Sequence, residues 1–191
     1  MIEINLRETL QKGQDYVAEL SEKLGINVRA FRHEIETDTC FEKAKLLGWS
    51  PERVVKAIFF SREPNVYGFV FPELGKDSPI RVNTKEILPE ILGISNKQAK
   101  DFKNSYCPYG MEFGTCTPFV LEDSFERASM GRLLRRIFIH EIPDDFLADI
   151  SIGGIGEEAR KTSLHLDYSG IYAILYDKFG DKVKRLNIFK K

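Results

Sequence analysis

The sequence predicts an α+β fold: a mixed sheet flanked by helices. Two observations carry this. The apolar runs RVVKAIFF (53–60) and VYGFVF (66–71) are separated only by SREPN, the spacing of a β-hairpin. Helical and extended patterns then alternate irregularly along the chain. That argues against the regular strand–helix alternation of a doubly wound parallel sheet. With 191 residues, 42% of them apolar, the chain is long enough for one ordinary domain with a real core.

The elements follow in order. Residues 5–24 read as an amphipathic helix, capped by Asn5 and stopped by Gly25. Residues 27–36, NVRAFRHEIE, suit a strand. Thr39 and Glu42 form a capping box, each satisfying a backbone N–H at a helix start, and that helix ends near Gly48. The hairpin comes next. Residues 84–92 read as helical, and Ser95 with Gln98 opens another helix by the same capping logic. LLRRIFIHEI (133–142) mixes a helix end with a strand. DFLADISIGGIGEEA (145–159) is a strand running into a glycine turn, and LDYSGIYAILYD (166–177) starts helical and ends as a short apolar run. No internal repeat or low-complexity segment interrupts the pattern.

Composition narrows the function classes. Charged residues make up 30% and the net charge is −1, so any nucleic-acid contact needs a local basic patch. No apolar run approaches the roughly 20 residues of a membrane span. The start carries neither a signal-peptide core nor a transit-peptide bias. The three cysteines, Cys40, Cys107 and Cys116, are odd in number and lack CxxC spacing, which argues against a disulfide framework or a zinc knuckle. These features together read as a reduced, cytoplasmic protein.

Two local features point to chemistry. In RVVKAIFF, Lys56 shares a strand face with Val54, Ile58 and Phe60, and both faces are mostly apolar. Such a lysine either snorkels to water from a sheet edge or meets an anion at the floor of a pocket. The second feature is YCPYGMEFGTCTPF (106–119), with Gly110, Gly114 and Pro118 spaced G-x-x-x-G-x-x-x-P. Glycines let a ligand approach the backbone, whose N–H groups can hold a carbonyl oxygen, although a plain turn has the same spacing. A further pair, Gly153 and Gly154, follows the strand FLADISI.

In this order, CFEKAKLLGWSPERVVKAIFF, YGMEFGTCTPF and IGGIGEEARKTSLHLDYSGIYAIL resemble the YbaK family of aminoacyl-tRNA deacylases, which shares its domain with the editing insertion of bacterial prolyl-tRNA synthetases. The resemblance spans residues 26–176 and leaves residues 1–25 as an N-terminal helix packed on a domain of residues 26–191. It implies a largely antiparallel, barrel-like sheet with one pocket. The implied activity is hydrolysis of the ester joining a wrong, small amino acid to the tRNA 3′ end. Partners would be aminoacylated tRNA and an aminoacyl-tRNA synthetase, with no cofactor, metal or membrane. Lys56 would meet the phosphate region of the terminal adenosine, and the Gly114 backbone would bind the aminoacyl carbonyl. Gly110, Thr115 and Pro118 would shape that turn, while Ile152, Gly153 and Gly154 would line the pocket. Thr39 would border it from the helix it caps. The chain departs from the family at Thr115, where a second glycine is usual, and at Ile152, where a serine is usual.

Other constellations of residues offer other chemistry. Cys116 as a nucleophile needs His33, His140 or His165 beside it. A metal site needs ligand spacing that these residues lack. The clusters Arg132, Arg135, Arg136 and Lys182, Lys184, Arg185, Lys190, Lys191 offer phosphate contacts, and Tyr106, Tyr109 and Phe113 offer stacking faces for an adenine. A catalytically inactive tRNA- or nucleotide-binding module on the same fold is the alternative, motivated by Thr115 and Ile152.

Overall fold

The two apolar runs become the centre of a nine-stranded sheet. The computed structural model describes residues 1–37, 39–75, 82–104, 111, 115–127 and 131–189. In chain order these form β1 (Ile2–Ile4), α1 (Leu6–Thr9), α2 (Asp15–Leu24), β2 (Arg29–Arg32), α3 (Cys40–Leu47), β3 (Val54–Arg62), β4 (Asn65–Pro72), α4 (Thr84–Leu92), α5 (Asn96–Ala99), β5 (Lys103–Asn104), β6 (Leu133–His140), β7 (Leu147–Ser151), α6 (Glu157–Arg160), β8 (Thr162–Asp167), α7 (Tyr168–Phe179) and β9 (Val183–Leu186). The strand order is β1-β2-β8-β7-β3-β4-β6-β9, with β5 on the far end of β3. Pairing is antiparallel except at β3–β7, β4–β6 and β6–β9. The sheet is mixed and largely antiparallel, as expected. Among the described residues it is open, since β1 and β9 lie at opposite ends of its order.

Alternation along β3 sends Val55, Ala57 and Phe59 to one face, where α2 and α7 close a core through Tyr16, Val17, Ile171 and Ile174. Phe60 points to the other face and joins Phe69, Phe71, Phe138 and Leu88 beneath α4 and α5. On that second face α3 packs against β3.

Three elements differ from the sequence reading. The helix expected over 5–24 breaks into α1 and α2. Gly13 takes a left-handed φ of 91° there, and the buried Gln14 side chain is pinned to the Phe119 and Ile152 carbonyls. A continuous helix would turn Gln14 away from both. Residues 133–140 are strand throughout, because β6 lies between β4 and β9 and its ladder overrides a helical start. Residues 168–179 are helix throughout, with Ile171, Ile174 and Leu175 on the buried stripe. The capping boxes at Thr39/Glu42 and Ser95/Gln98 are both formed.

Gly68 lies opposite Phe59 in the hairpin, and a Cβ there would sit 2.9 Å from the Phe59 ring and 3.3 Å from Ile137. Gly68→Ala is therefore expected to cost about 1–3 kcal/mol through overpacking. Urea unfolding should show a lower midpoint at unchanged slope, and Phe59→Leu in the same background should restore part of it.

Candidate functional site

β7 and β8 alternate strictly. Ala148, Ile150, Leu164 and Leu166 point into the apolar core. Asp149, Ser151, Ser163 and His165 therefore share the opposite face, together with Lys56 of β3. The register aligns them: Phe31 pairs with Ser163, Ser163 with Ser151, and Ile150 with Val55, so Ser151 stands at the level of Lys56. One row below, His165 pairs with Asp149, and Asp149 with Val54. α3 lies near this polar patch, burying Lys43 and Ala44.

Lys56 is neither a wet edge lysine nor an open cation. Its side chain is 16% exposed, and its ammonium pairs with the fully buried carboxylate of Glu73. Glu73 lies just beyond β4, where its N–H bonds to the Val54 carbonyl, making it the diagonal neighbour of Lys56 across the hairpin. Glu73 also accepts the Gly75 N–H at 2.9 Å, and the Phe71 ring lies 5.9 Å from the ammonium.

Beside this pair runs a buried polar chain. His165 Nε2 lies 2.9 Å from Asp149, and His33 Nε2 lies 2.8 Å from Ser163 Oγ. Burial pushes the Asp149 carboxyl up. Hydrogen bonding from His165 and Ser163 and the charge of Lys43 outweigh it, so Asp149 titrates below its ordinary value. Burial and the Lys43 charge hold the His33 imidazole down at about 4, so it is neutral. Burial likewise pushes the Cys40 thiol up to about 12, within electrostatic reach of Lys56, Glu73, Asp149 and Lys43. A thiol in that state is not a nucleophile.

The two loops singled out in the sequence meet beside this face. Ser151 Oγ donates to the Thr115 carbonyl at 2.8 Å and accepts the Gly153 N–H at 3.2 Å, while Thr115 Oγ1 donates to the Gly154 carbonyl at 2.7 Å. Gly153 and Gly154 both have left-handed φ, 81° and 115°, and a Cβ on Gly153 would sit 2.9 Å from Thr117 Cγ2. Glycine here admits the protein's own second loop. Gln14 Nε2 clamps both loops from the α2 side, donating to the Phe119 and Ile152 carbonyls.

The structure thus brings Lys56, Thr115, Gly153 and Gly154 to one end of β3 and β7. Pro118 is buried in the same loop. Thr39 caps α3 and accepts the Glu42 N–H at 3.1 Å. Gly110, Gly114, Cys107 and the aromatic residues Tyr106, Tyr109 and Phe113 lie outside the described residues. Ile152 belongs to the apolar core. Its neighbour Ser151 is the residue that alternation turns to the Lys56 face. The sequence reading also missed Glu73, Asp149, Ser163 and Lys43. The polar alternation in ADIS and TSLHLD was the available signal for two of them.

Cys116 is disulfide-bonded, contrary to the expectation of free thiols, and so offers no thiolate. Pairing depends on how a loop folds back, which counting cysteines does not show, and the inference of a reduced compartment loses its support. No helix among the described residues is long and apolar enough to cross a membrane. A cleft of about 540 Å³ lies elsewhere, lined by Pro51, Pro72, Ile142 and Phe146 with Glu52 and Asp144 among its walls. It contains none of the sequence-predicted site residues.

No family model matches the chain, and no curated protein matches it. Solved structures share its fold. The hypothetical protein APE2540 is 19% identical at a TM-score of 0.53, covering 89% of this chain and 97% of its own. A candidate trans-editing enzyme for prolyl tRNA synthetase is 14% identical at 0.53, covering 91% and 96%. A scaffold used for computational epitope backbone grafting is 12% identical at 0.51, covering 95% and 99%. At these identities the likeness is one of fold.

His33 gives the polar chain a pH signature. Its folded value lies below the ordinary 6.5, so on acidification the unfolded chain takes up the proton first. Its contribution to stability is full above pH 6.5, falls between 6.5 and 4, and is flat below. Denaturant unfolding across this range should show that slope in the wild type and a reduced slope in His33→Gln.

Proposed function

We propose that this chain hydrolyses the ester of mischarged aminoacyl-tRNA carrying a small amino acid. It would act in trans on the product of an aminoacyl-tRNA synthetase, with residues 26–191 as the deacylase-like domain and residues 1–25 packed on it. One observation carries the reading. Lys56 and Ser151 stand at one level of the sheet, where the Thr115 loop is tied to the glycine pair, in a fold shared with a candidate trans-editing enzyme.

The chemistry this arrangement suits is positional. Water adds to the ester carbonyl carbon, and the ribose oxygen leaves with a proton. Backbone donors of the two loops would hold the carbonyl oxygen as charge develops there. Lys56 and its Glu73 partner set a fixed dipole under the ribose, and loops clamped by Gln14 keep donors and substrate in place. Thr39, Gly110, Gly114 and Pro118 keep the roles that the family resemblance gives them.

The Lys56–Glu73 pair favours one other reading, a binding module without catalysis, because a neutralised lysine stabilises a developing anion less than a free one. A deacylation assay separates the two. The wild type should turn over one of the tRNAs mischarged with alanine, cysteine, serine or proline. Lys56→Ala should lose about 10²-fold or more in rate while keeping its circular dichroism spectrum. Binding of tRNA by a folded wild type with no turnover across the panel would leave the binding module.

A further inference from the structure

We propose that the ammonium receiving a substrate phosphate in this site is Lys43 of α3 rather than Lys56. This rests on the reading of the site as one for the nucleotide end of a tRNA. Lys56, the cation the sequence offers for that task, is already neutralised by Glu73. Lys43 is only 9% exposed; its backbone N–H bonds to the Thr39 carbonyl, while among the described residues its ammonium forms no ion pair and no hydrogen bond. It feels Asp149 and Cys40 electrostatically, and Cys40 in turn feels Lys56 and Glu73, so the two lysines flank one small region.

Asp149 does not explain Lys43. That carboxylate takes its short hydrogen bond from His165, and Lys43 acts on it through charge alone, without a hydrogen bond or ion pair between them. α3 does not need a lysine there either. Its buried side carries Ala44, and a methionine at 43 would fill the same space without desolvating a charge. A largely buried cation whose ammonium has, among the described residues, only the longer-range charge of Asp149 is placed for an anion that arrives with a ligand. Thr39 lies one turn earlier on α3, so the pair present a hydroxyl and an ammonium along one side of the helix. A compact ammonium suits a phosphoryl oxygen, either of an internucleotide phosphate or of a free nucleotide.

The test is calorimetric titration of the full chain with adenosine 5′-monophosphate, adenosine, inorganic phosphate and a short RNA ending in adenosine. The wild type should bind the monophosphate more tightly than adenosine. Lys43→Met should weaken the monophosphate and the RNA about tenfold or more and leave adenosine unchanged, while Lys43→Arg retains most of the affinity. Lys56→Met should weaken them less. Lys43→Met should also melt at or above the wild-type temperature, the reverse of what a structural counter-ion would do. Tighter binding of the RNA assigns the phosphate to the chain, and equal binding assigns it to a free nucleotide. The proposal is overturned if the wild type fails to separate monophosphate from adenosine. It is also overturned if Lys43→Met binds normally or melts lower, or if Lys56→Met loses as much. Phosphate binding through Lys43 without deacylation would sink the hydrolase reading and leave this inference standing.

Discussion

An ammonium in the interior of a sheet is tolerated only with a carboxylate beside it, and the Lys56–Glu73 pair meets that demand. Desolvating each ion costs several kcal/mol, so removing one partner would leave the other charged and buried. The pair therefore favours the observed hairpin register, which sets Glu73 diagonal to Lys56. The register fixes the face on which Lys56 stands. That same face collects Ser151, Asp149, Ser163 and His165 from the neighbouring strands. A sheet that is hydrocarbon on one side and ionisable on the other follows from a period of two, applied to three adjacent strands.

The loops depend on this arrangement in turn. Ser151 ends β7 at the level of Lys56 and holds the Thr115 carbonyl, which brings Thr115 onto Gly154. Gln14 reaches both loops from the opposite side. The N-terminal segment is thus mechanically part of the site, although it contributes no residue to the polar face. Two carbonyls converging on one fully buried amide explain why the chain gives up a continuous helix around Gly13.

Much of this was legible in the sequence where the signal is local. The hairpin, both capping boxes and the strand entering the Gly153–Gly154 turn follow from short-range chemistry. Lys56 stood out because its strand is apolar on both faces. Glu73 did not, because its meaning depends on register, and a hairpin turn containing Pro64 leaves register open. Ser151 went unnoticed because a motif match counts positions, whereas alternation decides which of two neighbours shares the face of Lys56, and Ile152 packs in the apolar core. The break between α1 and α2 comes from long-range contacts of Gln14, which neither propensity nor spacing encodes, and the disulfide at Cys116 is something that counting cysteines does not show.

The central claim is that substrate meets the polar face of β3, β7 and β8 beside α3. The most direct test is a crystal structure of the chain with a non-hydrolysable aminoacyl-adenosine analogue. The account predicts the analogue between α3 and the Thr115 loop, within contact of Lys56 and Ser151. Finding it in the cleft between Pro51, Pro72 and Phe146, with the polar face unchanged, would contradict it.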